Sequence, residues 1–277
     1  MEKEITLGVC STGSRLKLAV FDGKKFYCAQ RRVFNQEKPL FPMIARLLKG
    51  AGLRNVRIFC AVRGPGRFTG IRIGLTLGKV LEALAGTKVY SATLFEIMAL
   101  QAFESPAFKN WAECRQKPKI AVLMRAFKDE YFCQVFQVTG CKSQVTGHKS
   151  QATGHRSQVT GHKSQDVRSL AFSLQPSTFL KAVEAPQWLK VPEMKDYLSE
   201  LGQELFVIGD SEEDPSVYAL APAYCEKAGS GISKIIPAYL IKAAMSLENR
   251  NTTPLYLKPA RYELENKTQD TSEKSGI

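Results

Sequence analysis

A glycine-bearing segment, Val56 to Gly86, constrains the fold of this chain more than any other part of its sequence. It begins with the apolar run VRIFCAV, passes through the turn RGPGR and continues as FTGIRIGLTLGKVLEALAG. The apolar run predicts a strand buried on both faces, and the last part predicts a helix with Gly70, Gly74 and Gly78 at four-residue spacing. Because an interior glycine costs a helix about 1 kcal/mol relative to alanine, something is expected to approach the helix backbone closely on this side.

Two interpretations of the glycine side of this helix stay open. In the first interpretation, the helix packs closely on its own sheet or on a neighbouring helix. In the second, another polypeptide docks against the glycines, as small-residue helix faces allow between membrane helices. We adopt docking as the working hypothesis.

The turn itself also has two interpretations. Glycine-rich turns between a strand and a helix can bind phosphate through backbone N–H groups, and Arg63 and Arg67 flank this one. However, Gly64, Pro65 and Gly66 match neither GxGxxG in the proper register nor GxxxxGK[ST]. A tight turn with glycine at positive φ is therefore favoured.

Composition is that of a globular protein with one large or two modest domains: 277 residues, 44% hydrophobic and 23% charged. The first residues lack an apolar signal core, and no run approaches the length of a membrane span. Seven scattered cysteines without a CxxC pair indicate a reducing compartment. We expect a cytoplasmic protein with no membrane contact. The net charge of +13 permits an anionic partner such as nucleic acid.

An internal repeat of four heptapeptides spans Val138 to Gln165 and contains all three histidines of the chain, His148, His155 and His162, with Cys141 in the same register. Imidazole and thiolate are good metal ligands, so a metal or anion site is one interpretation. We favour a recently duplicated, solvated loop, because one apolar residue per seven cannot build a helix seam.

The chain outside the repeat predicts a mixed α/β protein. Expected strands are Ile5–Cys10, Leu16–Phe21, Lys25–Gln30, Val56–Val62, Lys88–Ser91, Ile120–Met124, Tyr131–Val138 and Phe206–Gly209. Expected helices are Lys38–Lys49, the glycine helix with Thr69 as N-cap and Gly86 as C-cap, Leu94–Phe103 and Ile232–Glu248.

Catalytic groups are hard to assemble from this sequence. No histidine lies outside the repeat, which argues against Ser-His or Cys-His catalysis. The first strand ends in Cys10-Ser11-Thr12-Gly13, where an ATP-using enzyme of this topology needs a carboxylate for magnesium. Asp210 follows a strand and could bind a metal–phosphate group, but aspartate is common at such turns. The pattern favours a binding or scaffolding role.

The segment RGPGRFTGIRIGLTLGK resembles the GPGSFTGLRIGL signature of the bacterial TsaB family. Four further segments of the chain have counterparts in that family: the N-terminal β-hairpin, Lys38–Leu53, Val207–Ser211 and Thr253–Lys258. The resemblance therefore covers most of residues 5–258. It implies an actin-like (ASKHA, ribonuclease H-like) α/β fold of two subdomains, each with a mixed sheet flanked by helices. The expected division is residues 1–105 with the glycine motif and partner-binding helices, 106–258 with the repeat inserted at 138–165, and a disordered polar tail at 259–277.

The family comprises non-catalytic subunits of the complex that makes N6-threonylcarbamoyladenosine (t6A) at position 37 of tRNA. The resemblance implies a scaffold and dimerisation subunit that binds and activates the paralogue TsaD as a heterodimer, with the ATPase TsaE as a third partner and a homodimer when alone. By this resemblance, we expect the subunit to reach tRNA through the complex and to bind no cofactor by itself, while the assembled complex can bind ATP or ADP with Mg²⁺. The resemblance places partner contacts at Phe41, Ile44, Leu48, Phe68, Thr69, Gly70, Ile71, Gly74, Leu75 and Gly78, beside the loop Gly64, Pro65 and Gly66.

The chain departs from the family pattern in three short segments, and the histidine-bearing repeat has no counterpart in the family. Cys10-Ser11-Thr12 stands where an Asp-Thr-Ser-type turn is usual, Arg67 replaces the signature serine, and Arg125-Ala126-Phe127 replaces an Asp-Ala-Arg segment. Two alternative functions stay open beside the one that the resemblance implies. One is a stand-alone actin-like ATPase or kinase-type enzyme, and the other is a basic nucleic-acid-binding protein that uses the repeat.

Overall fold

The structure, a computed structural model, describes residues 4–139 and 180–258. Its first sheet contains five strands in the order β3-β2-β1-β4-β5. Strands β1, β2 and β3 form an antiparallel meander, whereas β1, β4 and β5 are parallel neighbours. The strands are β1 (Ile5–Cys10), β2 (Arg15–Phe21), β3 (Phe26–Arg32), β4 (Val56–Val62) and β5 (Lys88–Ala92).

The second sheet repeats this topology. Its order is β11-β10-β6-β7-β8, with β6, β7 and β8 antiparallel and β6, β10 and β11 parallel, while the short strand β9 also pairs with β7. The strands are β6 (Lys119–Phe127), β7 (Glu130–Val138), β8 (Leu180–Ala182), β9 (Gln187–Lys190), β10 (Leu205–Gly209) and β11 (Glu226–Lys227). Two sheets with the same strand order define an actin-like α/β fold, so the predicted fold class is confirmed.

Helices and sheets alternate in layers. Helices α1 (Glu37–Leu48) and α2 (Phe68–Ala85) cover the outer face of the first sheet. Helices α3 (Leu94–Glu104), α4 (Pro106–Ala112) and α6 (Ala238–Leu247) lie in the core that the two sheets share. Helix α5 (Val191–Glu200) packs on the far face of the second sheet. Two short 3-10 helices occupy Leu53–Asn55 and Val217–Ala219.

Side-chain alternation explains this layering. In β1, Leu7 and Val9 point to the α1–α2 side, whereas Gly8 and Cys10 point to the core between the sheets. Gly8 lets α6 approach, since a Cβ atom there would lie 2.9 Å from the Ile241 side chain. Each sheet is thus covered by helices on both faces.

Two sequence predictions about helix boundaries are wrong. The helix expected over Ile232–Glu248 begins only at Ala238, because the residues before it form turns and Pro237 precedes the first helical turn. Thr69 is not the N-cap of α2, because Arg67 takes that position without a side-chain capping bond. Gly86 is confirmed as the C-cap, with φ of +65° and its N–H donating to the Glu82 carbonyl.

Several sequence predictions lie outside the described residues. They include the repeat beyond Thr139, with its histidines and Cys141, and the polar tail from residue 259. The subdomain boundary at residue 105 stays a prediction. Within residues 4–139 and 180–258, no helix is long and apolar enough to cross a bilayer.

Candidate functional site

The turn between β4 and α2 is held by the chain's own backbone. The Arg67 N–H donates to the Thr12 carbonyl at 2.8 Å. Gly64 and Gly66 have φ of +126° and +151°, and Cβ atoms there would lie 2.6 Å from the Leu255 and Thr12 carbonyl oxygens. The turn therefore requires glycine for both its conformation and its close contacts, as a tight turn does.

The glycine side of α2 faces the chain's own first sheet. The Ser11 hydroxyl donates to the Gly70 carbonyl at 2.7 Å, and a Cβ atom on Gly70 would lie 1.8 Å from the Ser11 carbonyl oxygen. One on Gly78 would lie 2.9 Å from the Phe59 ring, and one on Gly74 would be 3.4 Å from the Ser11 hydroxyl oxygen. Close packing on the chain itself therefore accounts for the four-residue glycine spacing, because the β1–β2 loop and β4 occupy this side of α2.

The predicted partner residues divide into buried and exposed groups. Seven of them lie in the core or against the first sheet: Ile44, Leu48, Gly70, Ile71, Gly74, Leu75 and Gly78. Only Phe41, Phe68 and Thr69 are exposed. Contact of the buried group with a partner stays a prediction, and in this chain these residues fix the positions of α1 and α2.

Large apolar side chains remain uncovered on the outward sides of α1 and α2. Phe41 is 54% exposed on α1, and Phe68, Val80 and Leu84 are 52%, 44% and 80% exposed on α2. The Phe68 ring stacks on Tyr256 from the C-terminal segment, with ring centroids 5.0 Å apart. We call these five side chains the outer helix face. No feature of the sequence marks Tyr256 as a contact residue, although it lies in the segment TPLYLK.

A cleft of about 330 Å³ lies between the two sheets. It is bounded by the β1–β2 loop, the glycine turn, the end of β6 and the loop after β10. Its charged lining residues are Arg15, Lys17, Arg67, Arg125, Asp210, Glu213 and Lys258. From the sequence, Asp210 is a possible ligand of a metal–phosphate group, and Arg67 and Arg125 are departures from the family pattern. The tertiary structure brings these three residues together in one cleft.

Most of the cleft's cations contact carboxylates of the chain itself. The buried Lys17 ammonium donates to Glu212 at 2.8 Å and to the Ile235 carbonyl at 3.1 Å. Lys258 pairs with Glu130 at 2.5 Å. The cleft is therefore largely neutralised by internal ion pairs that join its two walls.

Asp210 is the buried carboxyl of this cleft, with 4% of its surface exposed. Burial raises its pKa to about 6, against the opposing effect of the Lys17 charge. At the end of β1, burial likewise raises the pKa of the Cys10 thiol. Among residues 4–139 and 180–258, no three His, Cys, Asp or Glu side chains are grouped as a metal site.

Comparisons with known proteins agree on one family. The sequence model described as "TsaD: tRNA N6-adenosine threonylcarbamoyltransferase" matches residues 35–234. The chain is 29% identical over 118 residues to the tRNA threonylcarbamoyladenosine biosynthesis protein TsaB of Haemophilus influenzae. That match covers 42% of this chain and 47% of the relative, so it spans about half of the relative's length.

Two solved structures from Pseudomonas aeruginosa share the fold. They are YeaZ, with a TM-score of 0.56, and an uncharacterized protein with similarity to peptidase YEAZ, with a TM-score of 0.57. Each is 14% identical to this chain, and each match covers 92% of this chain and 100% of the solved one.

Proposed function

The chain belongs to the TsaD family, as a TsaB/YeaZ-like protein, and from that premise we propose that it is a subunit of the machinery that synthesises t6A in tRNA. In this proposal it binds and activates a TsaD partner for threonylcarbamoyl transfer to adenosine 37. TsaE joins the complex, and the chain forms a homodimer when alone. The site of action is the cytoplasm.

The outer helix face is the observation that carries this proposal. Isolated exposed apolar residues are ordinary, but Phe41, Phe68, Val80 and Leu84 lie on the two helices that cover the same face of the first sheet, and Tyr256 stacks on Phe68. Aromatic and aliphatic anchors of this kind carry most of the binding energy in protein interfaces. The buried glycines contribute indirectly, since they let α2 sit close to its sheet.

The cleft supports a non-catalytic role. The end of β1 and the loop after it present Cys10, Ser11 and Thr12, and the Ser11 hydroxyl donates to the Gly70 carbonyl. Lys17 is held by Glu212 and is 3% exposed at its side chain. We propose that this subunit transfers no group itself and that ATP or ADP with Mg²⁺ binds in the assembled complex.

Co-purification with TsaD tests the proposal. The double variant Phe41→Asp/Leu84→Asp places two charges on the outer helix face, and we expect it to weaken TsaD binding by about 30-fold or more, as for a lost hot spot. The matched control is Val183→Asp/Tyr224→Asp, whose parent side chains are each 49% exposed outside the outer helix face. Equal binding by both double variants would contradict the assignment of this face.

ATP turnover separates the alternative function. A stand-alone ATPase or kinase-type enzyme would hydrolyse or transfer phosphate above background as the isolated chain. We expect no turnover by the isolated chain, and restored threonylcarbamoyl transfer when it is added to TsaD and TsaE. Turnover that disappears in Asp210→Asn would favour the enzyme.

A further inference from the structure

A shallow groove of about 550 Å³ runs between the edge strand β3 and helix α1, apart from the cleft. Arg31 and Arg32 end β3, Phe34 follows in the connecting segment, and Lys38 and Arg46 come from α1. We call these five side chains the β3–α1 groove. Among the residues that the structure describes, β3 is an edge strand with no further strand paired to it, and such an edge can accept a partner.

The charge of the β3–α1 groove is not neutralised by the part of the chain that the structure describes. Its lining contains four cations and no carboxylate. Within the described ranges 4–139 and 180–258, no Asp or Glu forms an ion pair with Arg31, Arg32, Lys38 or Arg46. The cleft differs here, because Lys17 and Lys258 there are paired. Four unpaired cations around one groove attract a polyanion.

Phe34 adds a second type of contact. Its side chain is 99% exposed, the highest value among the exposed large hydrophobic residues of the described chain. It follows the two arginines of β3 by two and three residues, so cations flank a free aromatic face. An unstacked nucleic-acid base can stack on such a face while adjacent phosphates contact the arginines.

We propose that the β3–α1 groove binds a single-stranded segment of RNA, with one base stacked on Phe34 and its phosphates held by Arg31, Arg32, Lys38 and Arg46. An acidic peptide would satisfy the charge but offers no base for Phe34, and three of the four cations are arginines, whose planar forks suit phosphate. Duplex RNA keeps its bases stacked and so leaves Phe34 unused. That the RNA is tRNA rests on the proposed function, whereas the groove's chemistry does not.

Binding of a fluorescein-labelled 12-mer oligouridine to the full chain, measured by anisotropy across salt concentrations, tests this inference. The variant Arg31→Ser/Arg32→Ser is expected to reduce the slope of log affinity against log salt by about 1.4, since each single-strand phosphate contact contributes about 0.7. Phe34→Ala is expected to weaken binding by about 5- to 160-fold without changing that slope. All these side chains are exposed, so thermal melting should match the parent.

Matched controls decide the outcome. Lys195→Ser/Lys227→Ser removes the same charge outside the groove, and Tyr224→Ala removes another exposed aromatic ring; both are expected to keep near-parent affinity. A control double variant that loses as much as the groove variant would overturn the inference. So would an unchanged affinity in Phe34→Ala, or competition by poly-glutamate as effective as that by unlabelled oligouridine.

Failure of this inference is distinct from failure of the proposed function. The oligouridine experiment uses the isolated chain, whereas the TsaD experiment uses variants of the outer helix face. Groove variants that keep TsaD binding but lose RNA affinity support the inference. RNA binding unaffected by every groove variant overturns it while leaving the TsaD result intact.

Discussion

At the scale of single residues, Asp210 shows how the fold sets the charge of a side chain. Its carboxylate oxygen accepts the Glu212 N–H at 3.1 Å, and nearby Glu213 adds a like charge. Burial is the largest effect, and it raises the pKa from 3.8 to about 6 in the folded chain. In the unfolded chain the same carboxyl is hydrated and ionises at lower pH.

Asp210→Asn should therefore change the pH dependence of stability. Between pH 3.8 and about 6 the folded chain binds this proton more tightly than the unfolded chain, so its contribution to stability falls as pH rises, by about 3 kcal/mol in total. Relative to the parent, the free energy of unfolding of the variant should rise by about 2.4 kcal/mol, most of this total, between pH 4 and pH 7 in urea unfolding. Asp196→Asn, at an exposed position, is the control. Parallel pH curves for parent and Asp210→Asn would contradict the assignment.

Gly70 and Gly74 should respond oppositely to alanine although both are buried in α2. A methyl group on Gly70 would meet the Ser11 backbone at 1.8 Å, which forces the β1–β2 loop and the helix apart. We expect Gly70→Ala to destabilise the chain by about 3 kcal/mol or more. Gly74→Ala has room at 3.4 Å and should be neutral or up to about 1 kcal/mol stabilising through helix propensity. Equal unfolding free energies in denaturant melts would refute this difference.

At the scale of elements, the start of α3 matters because this helix packs between the two sheets. Thr93 and Glu96 form a capping box: the Glu96 N–H donates to the Thr93 hydroxyl at 3.1 Å, and the Thr93 N–H donates to the Glu96 carboxylate at 2.6 Å. These bonds satisfy backbone N–H groups at the start of α3, which have no carbonyl partner within the helix. The cap thus links a local sequence signal to the shared core.

Thr93→Ala should cost about 1 kcal/mol of unfolding free energy, within the range measured for N-cap losses. Thr69→Ala is the matched control, since Thr69 is exposed in the first turn of α2 and is not its cap. Chemical denaturation of both variants measures the difference. A larger effect of Thr69→Ala would show that the capping assignments are wrong.

At the scale of the whole molecule, the repeated sheet topology brings the ends of β7 and β8 together. Val138 pairs with Leu180 in the antiparallel ladder, and the residues between them include the repeat. Because strands in this arrangement can be joined by a short hairpin turn, the ladder does not require a long connection.

Replacing residues 140–179 with an Asn-Gly turn should therefore leave the fold intact. We expect the melting temperature to change by no more than about 4 °C, equivalent to about 1 kcal/mol in a chain of this size. Salt-dependent oligouridine binding should change little if the β3–α1 groove carries it. An unfolded product, or one without RNA affinity, would contradict this expectation.

The sequence by itself determined most elements and the fold class. Apolar alternation and turn residues predicted the main strands, and the glycine motif predicted both the strand–turn–helix and the family. The short strands β8 and β9 were not predicted, because three or four half-buried or exposed residues carry no clear periodicity. Helix α5 was not predicted either, although its buried Met194 and Leu198 lie four residues apart, at helical spacing.

Only the tertiary structure decided what each surface contacts. Four-residue spacing showed that something approaches the glycine side of α2, and the fold identified it as Ser11 and Phe59 of the chain itself. The raised pKa of Asp210 likewise depends on the residues that bury it, which are distant in sequence. The same holds for the β3–α1 groove, where packing of α1 beside β3 places Arg46 near Arg31 and Arg32. Periodicity fixes which side of an element is apolar or small, but the neighbour that covers this side is set by long-range packing.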